Sequence, residues 1–203
     1  MSQPSDRFQE LLLSYSQEPD LGRRQALESQ LWQEFGAERA VLVLDMSGFS
    51  QLANRYGIVH YLSMVRRMQL TAEPIVSRYS GTLVKFEADN CFAMFAQVSD
   101  AVHAAIELND AFRIANEDTP DELDIRIACG IDFGSILVVP GVDFFGNAVN
   151  RACKLGEDLA AAGEILVTRE AMAKMPTDPP VNHSSRQYET SGIRIDTCLL
   201  HWS

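Results

Sequence analysis

The sequence predicts an α+β fold, a ferredoxin-like βαββαβ core with extra C-terminal elements, preceded by a helical extension. Three observations predict it. The continuous apolar run Ala40–Leu44 (AVLVL) has the composition of a central strand covered on both faces. Two short apolar runs, Thr82–Phe86 and Cys91–Ala96, flank the spacer Glu87-Ala88-Asp89-Asn90 and read as a hairpin. Segments with helical spacing stand before and after that hairpin. Strand, helix, hairpin, helix, strand is the order of a split βαβ sheet.

Each element follows from its residues. Residues 1–38 form the extension: residues 5–38 have helical character, Pro19 divides them into two pieces, and Leu11–Leu13, Leu21, Leu27, Leu31 and Phe35 can line one face. Residues 39–203 form the main domain. After the first strand, Asp45-Met46-Ser47-Gly48 turns the chain into Phe49–Tyr56 and Ile58–Tyr79, and Ser80-Gly81 ends that helical region. Val98–Asn116 is a second amphipathic helix beyond the hairpin. Asp124–Ile131 and Ser135–Pro140 read as two strands joined at Asp132-Phe133-Gly134. Gly146–Leu159 reads as a third helix, Glu164–Thr168 as a strand, Pro176–Ser185 as a loop, and Ile193–Trp202 as the last strand.

The 203 residues suit one domain with a short accessory segment, and a hydrophobic content of 46% is ample for a core. A formal net charge of -11 excludes a general grip on nucleic acid, so a polyanionic ligand must be met by a local positive site or by metal ions. No apolar run approaches the ~20 residues of a membrane span, and no signal-peptide pattern opens the chain, so the expected compartment is the cytoplasm. Cys91, Cys129, Cys153 and Cys198 lack the paired spacing of a metal knuckle or disulfide framework and are expected to be buried, reduced thiols.

The chemistry begins with Asp45, an aspartate directly after an apolar strand. Alone it fits a turn or helix N-cap as well as a metal ligand. Asp89, in the turn of the hairpin, changes the balance, because a ferredoxin-like sheet sets that hairpin beside the first strand. Two converging carboxylates are the hard oxygen donors that Mg²⁺ needs, with substrate phosphates completing the shell. Two ions so held can activate an attacking oxygen and stabilise a leaving pyrophosphate. The backbone N–H groups of Met46, Ser47, Gly48 and Phe49, at the start of a helix, suit the terminal phosphates. This much indicates phosphoryl transfer without saying which kind.

Four stretches narrow it: VLVLDMSGFSQLA, GTLVKFEADNCFAMF, IRIACGIDFGSILV and VDFFGNAVNRACKL. In that order and spacing, from Ala40 to about Met175, the chain resembles the class III nucleotidyl cyclase catalytic domain. The resemblance implies that Asp45 and Asp89 hold two Mg²⁺ or Mn²⁺ ions per site, with the Met46 carbonyl as a backbone ligand. It implies that Lys85 reads the base, Asp143 accepts from the exocyclic amine of adenine, and Asn150 positions the ribose. ATP is then the substrate, and the 3′-hydroxyl attacks the α-phosphate. It further implies a homodimer in which Asp45 and Asp89 come from one chain, and Lys85, Asp143 and Asn150 from the other. Ile136–Pro140 with Phe144 and Phe145 is then either a contact arm or ordinary core. The extension is either packing or a regulatory or dimerising segment that meets a partner.

The chain departs from the family's pattern at three places. Lys154 stands where the family has an arginine on the helix turn after Asn150; it keeps the charge but not the planar fork, and Arg151, one turn earlier, is a candidate substitute. Ala88 stands where the family has glycine, which Ala88 replaces only if the turn does not need φ > 0. Arg194 is offered on the last strand without a clear counterpart to the lysine that grips the terminal phosphates. Glu87 is a surface residue or a third carboxylate near the metals. Two alternatives stand beside an adenylate cyclase: a cyclase of another base, and a cyclase-like module that binds nucleotide and regulates a partner.

Overall fold

A single strand, β1, organises the sheet. The computed structural model of the chain describes residues 4–176, 181–190 and 193–202, without the side chains of residues 49–52, 190 and 193. The chain opens with helices α1 (Pro4–Gln17) and α2 (Leu21–Phe35), and β1 (Gly36–Met46) follows at once. Ala40–Leu44 are at most 1% exposed, as a strand covered on both faces must be. Alternate residues point to opposite faces. Leu42, Leu44 and Met46 join the main core with α4 (Ile58–Arg78) and α5 (Val98–Asn116). Val41 and Val43 pack on the other face against α6 (Asn147–Cys153).

The strand order confirms the predicted core. The hairpin of β2 (Thr82–Glu87) and β3 (Asn90–Phe95) lies beside β1, with β4 (Ile127–Val139) on its other side. All three pairings are antiparallel, giving β2-β3-β1-β4. The C-terminal elements extend this sheet: β6 (Ile165–Thr168) runs parallel to β4, and β8 (Ile193–Leu200) and β7 (His183–Thr190) follow antiparallel. Among the described residues no helix is long and apolar enough to cross a membrane.

Several elements differ from expectation, each for a physical reason. The two strands expected around Asp132-Phe133-Gly134 are one strand, β4. Asp132 is wholly buried and bound by Arg151 Nε at 2.5 Å and by Thr168 Oγ1, so it anchors the sheet instead of turning it. A three-residue strand, β5 (Asp143–Phe145), folds back on β4 with Leu137 opposite Phe145 and Val139 opposite Asp143. Part of the expected loop Pro176–Ser185 begins β7, while residues 177–180 lie outside the described residues. A short helix, α7 (Arg169–Met172), follows β6, capped by Thr168.

The expected helix Gly146–Leu159 changes pitch. After α6, Lys154–Leu159 winds as a wider π-helical turn, in which Ala160 N–H reaches the Leu155 carbonyl at 2.8 Å. Such turns occur mostly as single insertions in helices. Here it lets the helix lie almost on the sheet: a Cβ on Gly130 of β4 would stand 2.2 Å from the Ala152 carbonyl oxygen and 2.4 Å from the Gly156 nitrogen. Only paired glycines permit that approach.

The two N-terminal helices form an antiparallel pair. Arg7 near the start of α1 meets Glu34 near the end of α2 at 3.3 Å, and Asp20, after Pro19, caps α2 through Arg23 N–H at 2.9 Å. Phe8, Leu11, Leu31 and Phe35 bury against Val139 and Leu137 at the far end of β4. Leu12, Leu13 and Leu21, candidates for the same face, are exposed.

Candidate active site

The antiparallel register of β1 and β3 sets Asp45 opposite Asn90, and Met46 N–H donates to the Asp89 carbonyl at 3.3 Å. The two aspartates therefore meet at one end of the sheet. Asp45 shares the face of Val41 and Val43, towards the π-helical turn. Burial, then Asp89, Glu157 and Asp158 push its carboxyl up to about 6. Asp89 is 8% exposed, and burial raises it as well. Among the described residues neither carboxylate has an ion-pair partner to relieve its charge. Among the described residues, no cluster of three or more His, Cys, Asp or Glu is close enough to enclose an ion.

The turn between β2 and β3 has two residues, Ala88 and Asp89, closed by the pair Glu87 and Asn90. Two-residue hairpins favour turns with positive φ at a central position. Ala88 obeys, with φ of 52°, so the turn does use the conformation that glycine adopts freely. The Asn90 side chain, on the face of Asp45, leaves its Oδ1 buried without a donor among the described residues.

A second group gathers on the same side of the sheet. Lys85 of β2 and Asp143 of β5 meet at 3.1 Å, and Asp143 Oδ1 also accepts from Phe144 N–H at 2.8 Å. Lys85 lies over the Phe92 ring at 5.0 Å and holds Glu87 at 2.8 Å. These carboxylates raise the Lys85 ammonium further, Glu87 most. Glu87 is 65% exposed at its side chain, which makes it the surface residue of the two readings. Lys85, Phe92, Asp143, Phe145, Asn150 and Cys153 help to line a cleft of 430 Å³. A second cavity, of 310 Å³, lies among Asn109, Phe112, Arg126 and Trp202 and contains none of these groups.

The remaining candidates sit nearby with other commitments. Asn150 is exposed on α6 and faces the cleft. Lys154 is held by Asp158 at 2.7 Å, one turn on. Arg151 turns to buried Asp132 and so serves the sheet. Ser47 N–H is spent on the Arg126 carbonyl at 2.8 Å, and Met46 N–H on Asp89. The N–H groups of Gly48 and Phe49 open α3 (Phe49–Tyr56), where helix N-termini leave donors without intrahelical carbonyls. The Phe49 side chain lies outside the described residues. Arg194 pairs with Asp196 at 3.5 Å. Of the suggested contact arm, Ile136, Val139 and Phe144 are buried core, whereas Phe145 is 44% exposed. Of the four free thiols, Cys91, Cys129 and Cys198 are buried; Cys153 is half-buried, and burial next to Glu157 pushes it up to about 12.

Sequence reasoning missed Glu157 and Asp158. Their i,i+4 relation to Cys153 and Lys154 was visible, but the π-helical turn that brings them to Asp45 was not.

No protein-family model matches the chain. A Rhizobium meliloti (strain 1021) protein named "Putative adenylate cyclase 3" is 30% identical over 129 residues, which is 64% of this chain. That match spans 22%, about a fifth, of the length of the Rhizobium protein. The crystal structure of an adenylate/guanylate cyclase/hydrolase from Silicibacter pomeroyi is 26% identical, with a TM-score of 0.68 over 81% of this chain and 96% of that one. The adenylyl cyclase CyaB of P. aeruginosa has the same fold, at a TM-score of 0.68 and 18% identity over 83% of this chain and 96% of its own. So does the catalytic core of a rhodopsin-guanylyl cyclase with converted specificity, solved with ATPalphaS, at 0.69 and 17% over 82% and 98% of the two chains. The chain thus has the fold of adenylate/guanylate cyclase catalytic domains, and 64% of it is similar in sequence to a protein named a putative adenylate cyclase.

Proposed function

We propose that the domain is a metal-dependent adenylate cyclase, converting ATP to cyclic AMP and pyrophosphate in a homodimer. One observation carries this reading: an acidic pair without a counter-cation among the described residues stands on the same side of the sheet as a cleft bearing a Lys–Asp pair. The donors fit a hard divalent cation. Two carboxylates held above their ordinary range gain most from a positive ion, and the orphaned Asn90 Oδ1 is one more hard oxygen beside them. Asp45, Asp89 and the Met46 carbonyl would hold Mg²⁺ or Mn²⁺, two ions per site. Ions held there supply charge neutralisation for the phosphates and acidify the attacking hydroxyl.

The chain's own residues do the rest. Lys85 donates to adenine N1, and Asp143 accepts from the exocyclic amine. Guanine presents a carbonyl to that carboxylate and is disfavoured. Asn150 orients the ribose so that its 3′-oxygen faces the α-phosphate, and the N–H groups at Gly48 and Phe49 receive the terminal phosphates. Lys154 offers positive charge to the phosphates once released from Asp158. In the dimer, one protomer contributes Asp45 and Asp89, and the other Lys85, Asp143 and Asn150.

Incubation with each triphosphate and Mg²⁺ or Mn²⁺, followed by product analysis, tests this. Cyclic AMP is the expected product; a dominant guanylyl product would overturn the role of Asp143. Asp89→Asn is expected to abolish turnover and leave the dimer intact. A second reading, a nucleotide-binding regulatory module, draws support from the Lys154–Asp158 pair, which ties up the one cation standing in for arginine. Binding of ATP without any cyclic product would favour it.

A further inference from the structure

The strand that presents Asp143 is only three residues long. β5 has three register pairs with β4, too few to fix a strand end firmly by backbone bonding alone. Its last residue, Phe145, lines the cleft, yet it is also held from behind. The Phe8 ring of α1 stacks on it at 5.7 Å between centroids, with the planes 7° from parallel. Phe8 itself is 3% exposed and is locked by Phe35 of α2, edge to face at 5.0 Å. The same helices cover Leu137 and Val139, the β4 residues opposite Phe145 and Asp143. A continuous column thus runs from α2 through Phe8 to the wall of the cleft.

We propose that Phe8 is a positioning residue for the nucleotide base: by stacking on Phe145 it braces the short strand that carries both the cleft wall and Asp143. The N-terminal helices then belong to the substrate site's supporting shell, and displacing them loosens the base without touching the acidic pair. This rests on the cyclase reading of the cleft. Rings stacked in this way add modestly to simple burial, and loss of the brace acts on base binding in the ground and transition states alike. The expected signature is therefore a raised KM with kcat retained.

The test compares Phe8→Ala with Leu11→Ala, a residue of the same cluster, likewise 3% exposed, that has no ring to stack on Phe145. Binding of a non-cyclisable ATP analogue and of inorganic tripolyphosphate, each with Mg²⁺, is measured by calorimetry, alongside KM and kcat. Phe8→Ala is expected to weaken the analogue about ten-fold, leave tripolyphosphate within two-fold, and raise KM at near-constant kcat. Leu11→Ala is expected to lower the unfolding midpoint while leaving the analogue within two-fold. Equal analogue affinity in Phe8→Ala and the parent overturns the proposal, as does equal weakening by both variants or equal loss of tripolyphosphate. If the parent itself binds no ATP analogue, the cyclase reading fails first, and the result is distinct.

Discussion

Replacing Asp45 with asparagine separates stability from function in opposite directions. The Asp45 carboxyl is raised from 3.8 to about 6 by burial and by Asp89, Glu157 and Asp158. At about 1.36 kcal/mol per pH unit, that rise corresponds to about 3 kcal/mol. Solvent screening at a half-buried carboxylate cuts this to about 1.5 kcal/mol. The sign follows from proton linkage. The folded state holds this proton more tightly than the unfolded chain, so stability is fullest below about pH 4, declines as pH rises to about 6, and stays reduced above. Asparagine carries no charge and escapes the penalty. In chelator at pH 8, Asp45→Asn is expected to be about 1.5 kcal/mol more stable than the parent, a rise of about 3–6 °C in midpoint for a chain of this size. At pH 4 the two converge. Saturating Mg²⁺ or Mn²⁺ reverses the order, because only the parent gains binding energy on folding. Urea unfolding at both pH values, with and without metal, reads all of this. An equal or lower stability of Asp45→Asn at pH 8 in chelator would refute the account of the acidic pair.

Other outcomes follow from single contacts. Ala88→Gly relieves a non-glycine residue at φ 52° and is expected to add about 1 kcal/mol, measured as a higher urea midpoint without a change in slope. Gly130→Ala drives a Cβ into the backbone of the facing helix and is expected to cost about 3 kcal/mol or to prevent folding, seen in yield and circular dichroism. Lys154→Arg restores a planar fork; kcat is expected to rise several-fold at constant KM, and Asp158→Ala to release Lys154 in the same direction. Unchanged kcat in both would remove Lys154 from the chemistry.

The core of this fold was legible because it is written in local patterns. AVLVL announces a strand buried on both sides, and the hairpin register then brings Asp89 to Met46, as the element order predicts. What escaped depends on partners far along the chain. Asp132-Phe133-Gly134 resembles a turn until Arg151 and Thr168, 19 and 36 residues on, claim the carboxylate. The π-helical turn has no local signature in KLGEDL, and only the Gly130–Gly156 contact makes sense of it. The column from Phe35 to Phe145 joins residues more than a hundred positions apart, and no periodicity reports that.

An open sheet has two borders that invite further strands. β7, at one border, is guarded by composition, since HSSRQYET offers almost no apolar surface. β2 guards the other, and its sequence TLVKFE would be a sticky template without Lys85 and Glu87. The residue proposed to read the base is thus also a gatekeeper against self-association. Substitutions at Lys85 meant to retune base choice will therefore also test colloidal behaviour: an apolar replacement should scatter light at concentrations where the parent stays clear.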